Sequence, residues 1–151
     1  MSARPQDKLD KLLASSIRAT AQAHADTCDT SHTGTPSATV VLLRESAGQL
    51  DYLVLADSTL VLDQGDSQTA ICDNRHDDVA QHYAQEMEAL PVRSSDHAEA
   101  RRRFMVQMQA RRNRAGGFWV AAADPKVAYE AIRGSVPANT VKAAVLLTDG
   151  A

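Results

Sequence analysis

DYLVLADSTLVL, residues 51–62, is the stretch on which the fold turns: two apolar triplets, Leu53-Val54-Leu55 and Leu60-Val61-Leu62, flank Ala56-Asp57-Ser58-Thr59. Each triplet is long enough for the middle of a strand and too short for a helix of its own. Asp57 is the residue out of place. A carboxylate at a strand end needs a hydrogen bond, a turn to cap or a cation to hold, because burying it alone is costly. An Asx or Ser/Thr turn accounts for Asp57 on local grounds, and a ligand site is the alternative.

Upstream, PSATVVLL, residues 36–43, reads as a strand returned by the turn 45–49 into residues 51–56. Downstream, residues 60–63 and 68–72 read as two more strands about the turn Gln64-Gly65-Asp66, so the four consecutive strands predict a meander. Before them, Leu9, Leu12, Leu13, Ile17 and Ala21, with His24 continuing the row, mark one face of a helix over residues 8–25. SHTGTPSA, residues 31–38, cannot continue that helix.

After the strands the period changes. Val79, Tyr83, Met87 and Leu90 predict a helix over 77–90 that Pro91 ends, and Ser94 or Ser95 caps a second, which Gly116-Gly117 stops. Residues 118–122 read as a fifth strand, Asp124-Pro125 as the start of a short helix through Ile132 and Arg133, and residues 141–147 as the last strand. Strands, a helical pair and strands again give an α+β class with an antiparallel sheet.

With 151 residues the chain fits one domain, read as residues 8–151 behind a flexible 1–7 lead. Hydrophobic residues at 44% and charged residues at 23% are the proportions of a globular chain. The formal net charge of −3 excludes a global basic field, so nucleic acid is not an expected partner. No segment approaches the roughly 20 apolar residues of a membrane span, and no leader is visible, which predicts a cytoplasmic protein without a membrane partner. Cys28 and Cys72 lack a CxxC or zinc-spaced neighbour and read as two reduced thiols.

Acidic strand ends carry the strongest chemical signal. Asp57 precedes Ser58-Thr59 and Asp149 precedes Gly150-Ala151, small residues that let a ligand approach the backbone. Magnesium and manganese ions seek several such oxygens, while an Asp-Gly turn explains Asp149 taken singly. ARRRFMVQMQARRNR, residues 100–114, reads as a solvated helix face, since no aromatic stacking platform accompanies its arginines. Phe118 and Trp119 read as core. His76 with Asp73, Asp77 and Asp78 is a tight polar cluster that a helix N-terminus with acidic caps explains. No GxSxG is present, and no catalytic nucleophile is assigned. The Asp-nucleophile phosphohydrolases of the haloacid-dehalogenase type read hhhhDxDxT near such a strand, but Thr59 stands where their second Asp would be.

Four short motifs in order resemble the metal-dependent Ser/Thr protein phosphatases, the protein phosphatase 2C family, in a bacterial variant. PSATVVLL resembles its Gly-Ser/Thr-Thr-Ala strand and DYLVLADSTLVL its Val-Gly-Asp-Ser-Arg hairpin. ICDNRHDD sits where that family has an acidic residue after the next strand, and AAVLLTDGA resembles its Leu-Ala-Ser/Thr-Asp-Gly strand. The resemblance implies an antiparallel β-sandwich with flanking helices, a phosphoprotein substrate, and two Mg²⁺ or Mn²⁺ ions that activate a water for attack on phosphorus. It implies Asp149 as a metal ligand, with Asp57, Ser58 and Gly150 supporting the site.

The departures shape the expectation of activity. The family's first acidic motif and its Asp-Gly metal motif have no counterpart before Pro36, and its last Asp would fall beyond Ala151, so the chain reads as a fragment of a longer domain. One carboxylate cannot hold two divalent ions, and weak or absent phosphomonoester hydrolysis is expected. The competing expectation is a non-catalytic protein-interaction module, a pseudophosphatase in which the acids only shape turns. In either case, unpaired sheet edges invite self-association.

Overall fold

The computed structural model describes residues 7–32 and 34–148. Helix α1, Leu9–Ala23, leads into strands β1, Val40–Ser46, β2, Gln49–Leu55, β3, Thr59–Asp63, and β4, Gln68–Cys72. Helices α2, Arg75–Glu88, and α3, Ser95–Arg111, follow, then a 3₁₀ segment, Pro125–Glu130, and strands β5, Ile132–Pro137, and β6, Ala143–Leu147. The class is α+β, with two antiparallel sheets ordered β1-β2-β5 and β4-β3-β6. Among the described residues no helix is long and apolar enough to cross a membrane.

The expected meander is corrected at its centre. β2 and β3 do not pair; each is the middle strand of its own sheet. The break lies at Ala56, which adopts a left-handed φ of 63° and swings the chain from the first sheet to the second within three residues. Two further expectations change. Residues 118–122 are not a strand but carry two isolated bridges, Ala38 with Ala121 and Arg112 with Phe118. Ile132 and Arg133 leave the short helix and open β5, the missing third strand of the first sheet. Gly134 in β5 lies beneath the Tyr52 ring, where a Cβ would come within 2.2 Å of the Tyr52 hydroxyl, so a larger residue would displace the ring.

Alternation places side chains on opposite faces of each strand. In the first sheet Leu53 and Leu55 face α1, where they join Leu9, Leu13, Ala14 and Ile17 with Val127, Ala128 and Ala131 from the 3₁₀ segment. Val54 faces the other way and meets Leu60 and Leu62 of β3, with Val41, Leu43, Ile71, Val136 and Ala144 around them. The two sheets therefore share one apolar cluster. Arg133 of β5 is bound by the buried Asp10 carboxylate of α1, an ion pair that fastens the helix to the sheet it covers.

The helical pair forms a third cluster. Met108 of α3 packs on Ala56, Phe118 and Val120, with Val79, Ala80 and Phe104 against it. Ser94 caps α3 by accepting from the His97 amide at 3.0 Å. α3 stops at Arg111, before the glycines, and Gly117 passes so close to that residue that a Cβ would sit 1.9 Å from its carbonyl oxygen. This approach lets Phe118 donate from its amide to Arg111 O at 3.3 Å and sets the ring against α2.

Candidate functional site

Asp57 sits in the three-residue link between β2 and β3, and both neighbours are pinned. Ala56 is buried against Met108 and Phe118, and Ser58, 1% exposed, shares a 2.8 Å hydrogen bond between its Oγ and Thr39 Oγ1. The Cys72 thiol at the end of β4 approaches the Asp57 carbonyl at 3.7 Å. Asp57 is thus held by its surroundings, and its Oδ1 is buried with no hydrogen-bond partner among the described residues. Such an oxygen retains its full capacity to accept from a donor or to bind a cation.

His76, in the first turn of α2, brings its Nδ1 to 4.0 Å from Asp57 Oδ2 and 3.3 Å from Asp77 Oδ1. Phe118 holds the imidazole edge-on, with ring centroids 4.9 Å apart. The arrangement offers one unsatisfied carboxylate oxygen beside an imidazole.

The other acids of the predicted cluster separate. Asp73, almost fully buried, takes both oxygens to Arg75, with Nε at 2.8 Å and a terminal nitrogen at 2.6 Å, and that guanidinium also donates to Glu130 O at 2.6 Å. Asp73 holds the Arg75 guanidinium above its ordinary pKa, and the pair ties the start of α2 to the end of the 3₁₀ segment. Asp73 is a latch, with both of its oxygens engaged by Arg75. The arginine-rich helix behaves as expected of a solvated face: Arg102 and Arg103 pair with Glu99, Arg103 also with Glu86, and Arg111 donates to Tyr83 Oη at 3.0 Å. Arg112 turns inward to donate to Thr35 O at 2.8 Å, and burial pushes its pKa down.

β6 pairs with β3 so that Leu147 lies opposite Thr59. The strand therefore runs toward the end of the sheets that carries Ser58 and Asp57. Asp149 and Gly150, the expected ligand and its neighbour, lie outside the described residues. Among the described residues no group of three or more His, Cys, Asp or Glu side chains is placed to hold a metal ion. Asp57 offers one free oxygen where a hard divalent cation takes about six ligands, so the described residues do not by themselves fit a two-metal centre.

The link between Asp57 and His76 escaped sequence reasoning, which grouped His76 with Asp73, Asp77 and Asp78. No local signal joins residues 57 and 76, because the packing of Phe118 and α2 brings them together. No protein-family model, curated protein or solved structure matches this chain.

Proposed function

We propose that the chain is built on the scaffold of a metal-dependent Ser/Thr phosphoprotein phosphatase of the protein phosphatase 2C type, with weak turnover of phosphomonoesters as it stands. The observation that carries this reading is the buried, unpartnered Asp57 Oδ1 at the sheet end toward which β6 runs. Two antiparallel sheets sharing one core, with α1 outside the first, are compatible with that scaffold. In that reading Asp57 and Ser58 support the site, and Asp149 would supply a carboxylate to Mg²⁺ or Mn²⁺.

A specific observation favours the second reading, a docking module without catalysis: Val145 of β6 stays 48% exposed on the outer face of the second sheet, beside Val61 and the exposed Ala70, an apolar patch available to a protein partner.

Calorimetric titration with Mn²⁺, followed by a para-nitrophenyl phosphate assay, separates the two. The phosphatase reading expects weak Mn²⁺ binding that Asp149→Ala abolishes and Asp57→Asn reduces, with turnover near background. Binding indifferent to both substitutions, or no binding at millimolar Mn²⁺, would overturn it and leave the docking module.

A further inference from the structure

At the C-terminal end of α1, a thiol and an imidazole meet at the mouth of an apolar cavity. The chain folds back after the helix, with the Thr27 and Cys28 amides both donating to His24 O at 3.1 and 2.9 Å. This brings the exposed Cys28 Sγ to 3.8 Å from His24 Nδ1. The cavity behind them holds about 210 Å³ and is lined by Ala21, Pro36, Ala122 and Ala123 together with three threonines and Asp29. Its other titratable neighbours are engaged elsewhere: Asp29 Oδ1 accepts from the Ser31 amide and hydroxyl at 3.0 and 2.6 Å, and His32 Nδ1 accepts from the Gly34 amide at 3.0 Å.

We propose that Cys28 is a thiol–disulfide exchange site for compact, uncharged low-molecular-weight disulfides, with His24 as its base. In the tautomer that carries its proton on Nε2, His24 takes the thiol proton on Nδ1. The Cys28 thiolate attacks one sulfur of the disulfide along the S–S axis. The S–S bond breaks, one half joins Cys28 as a mixed disulfide, and the other leaves as a thiolate that recovers the proton from His24. The retained half seats against Ala21, Ala122 and Ala123, so the cavity selects for small apolar bodies. Cys72, partly buried with its thiol against the Asp57 carbonyl, is the internal comparison.

The probe is 2,2′-dithiodipyridine, with thiopyridone release followed by absorbance and the modified cysteine located by peptide mass spectrometry. Cys28 of the folded chain should react about tenfold faster than Cys72 and faster than either thiol in urea, as its exposure and the base beside it require. His24→Gln should slow Cys28 about tenfold and remove the histidine-range inflection from its pH–rate profile. Ala122→Leu, which narrows the cavity, should slow the dithiodipyridine severalfold while methyl methanethiosulfonate, small enough not to need the cavity, reacts as before. Far-UV circular dichroism of each variant establishes that it is folded. Reaction of Cys28 at its unfolded-chain rate, or a rate indifferent to both substitutions in folded protein, would overturn the proposal.

Discussion

The same tripeptide occurs twice in this chain with different fates. Leu53-Val54-Leu55 of β2 is fully buried on both faces, whereas Leu60-Val61-Leu62 of β3 buries its leucines and leaves Val61 half-covered. The difference is made far away in sequence. α1 and the 3₁₀ segment cover the outer face of the first sheet, while on the outer face of the second Val61 has Ala70 and Val145 beside it, both exposed. A strand's own residues specify its alternation, and the elements that return to it decide whether one face or two are core.

The largest expected effect tests that contrast with one substitution made twice. Val54→Thr keeps shape and β-propensity but puts a hydroxyl into the cluster between the sheets, which should cost about 2 kcal/mol. At this chain length that lowers the melting temperature by roughly 4–8 °C. Val61→Thr meets a half-open face and should stay within about 0.5 kcal/mol. Equal losses in thermal denaturation would mean that the outer face of the second sheet is covered in solution.

A smaller effect concerns how each covered or open face ends. On the face that α1 covers, Arg44 and Asp51 stand opposite each other across β1 and β2, 3.0 Å apart, and hydrogen bonds from Arg44 and Ser135 hold the Asp51 carboxyl below its ordinary pKa. On the second sheet Asp63 spends its carboxylate on the turn, accepting from the Gly65 amide at 2.8 Å. A depressed folded-state pKa contributes stability above the unfolded value near 4, and that contribution is lost as pH falls through the folded value. Discounted for solvent screening, the Asp51 contribution is about 0.5–1 kcal/mol. Asp51→Asn should therefore lower stability at pH 7, with the gap to the parent closing as pH falls below the unfolded carboxyl value near 4. A gap that widened on acidification would contradict the assignment.

Much of the fold could be read from residues whose neighbours are local. The helical face of α1, a cap at Ser94 or Ser95 and the alternation around residues 51–62 all follow from spacing. The switch between sheets did not, because Ala is a poor left-handed residue and only burial against Met108 and Phe118 explains its place at position 56. β5 escaped for a similar reason: Gly134 and Pro137 weaken its strand pattern, and Gly134 serves the Tyr52 ring of a strand some 80 residues away. Of the candidate site, Asp57 and Ser58 could be singled out by their position at a strand end. His76 joined them only through tertiary packing, and Asp149 and Gly150 fall outside the described residues.

The smallest expected effect compares the two hairpin turns. β3 and β4 are joined through Gly65 at φ 91°, a conformation glycine adopts freely. β1 and β2 are joined by Ala47 and Gly48, both with positive φ, 50° and 74°, between the paired residues Ser46 and Gln49. That is a two-residue loop of the kind whose twist matches the strands, and it favours Asn-Gly. Ala47 is exposed and makes no cluster contact that Asn would lose. Ala47→Asn should therefore raise stability by about 0.5 kcal/mol, and Asn at the equally exposed Gln68, inside β4, should lower it slightly, since Asn suits left-handed turns and not strands. Were Ala47→Asn destabilising in urea titration, the first hairpin would not hold the left-handed pair in solution, and the register from Val40 opposite Leu55 to Ser46 opposite Gln49 would have to be set by the core alone.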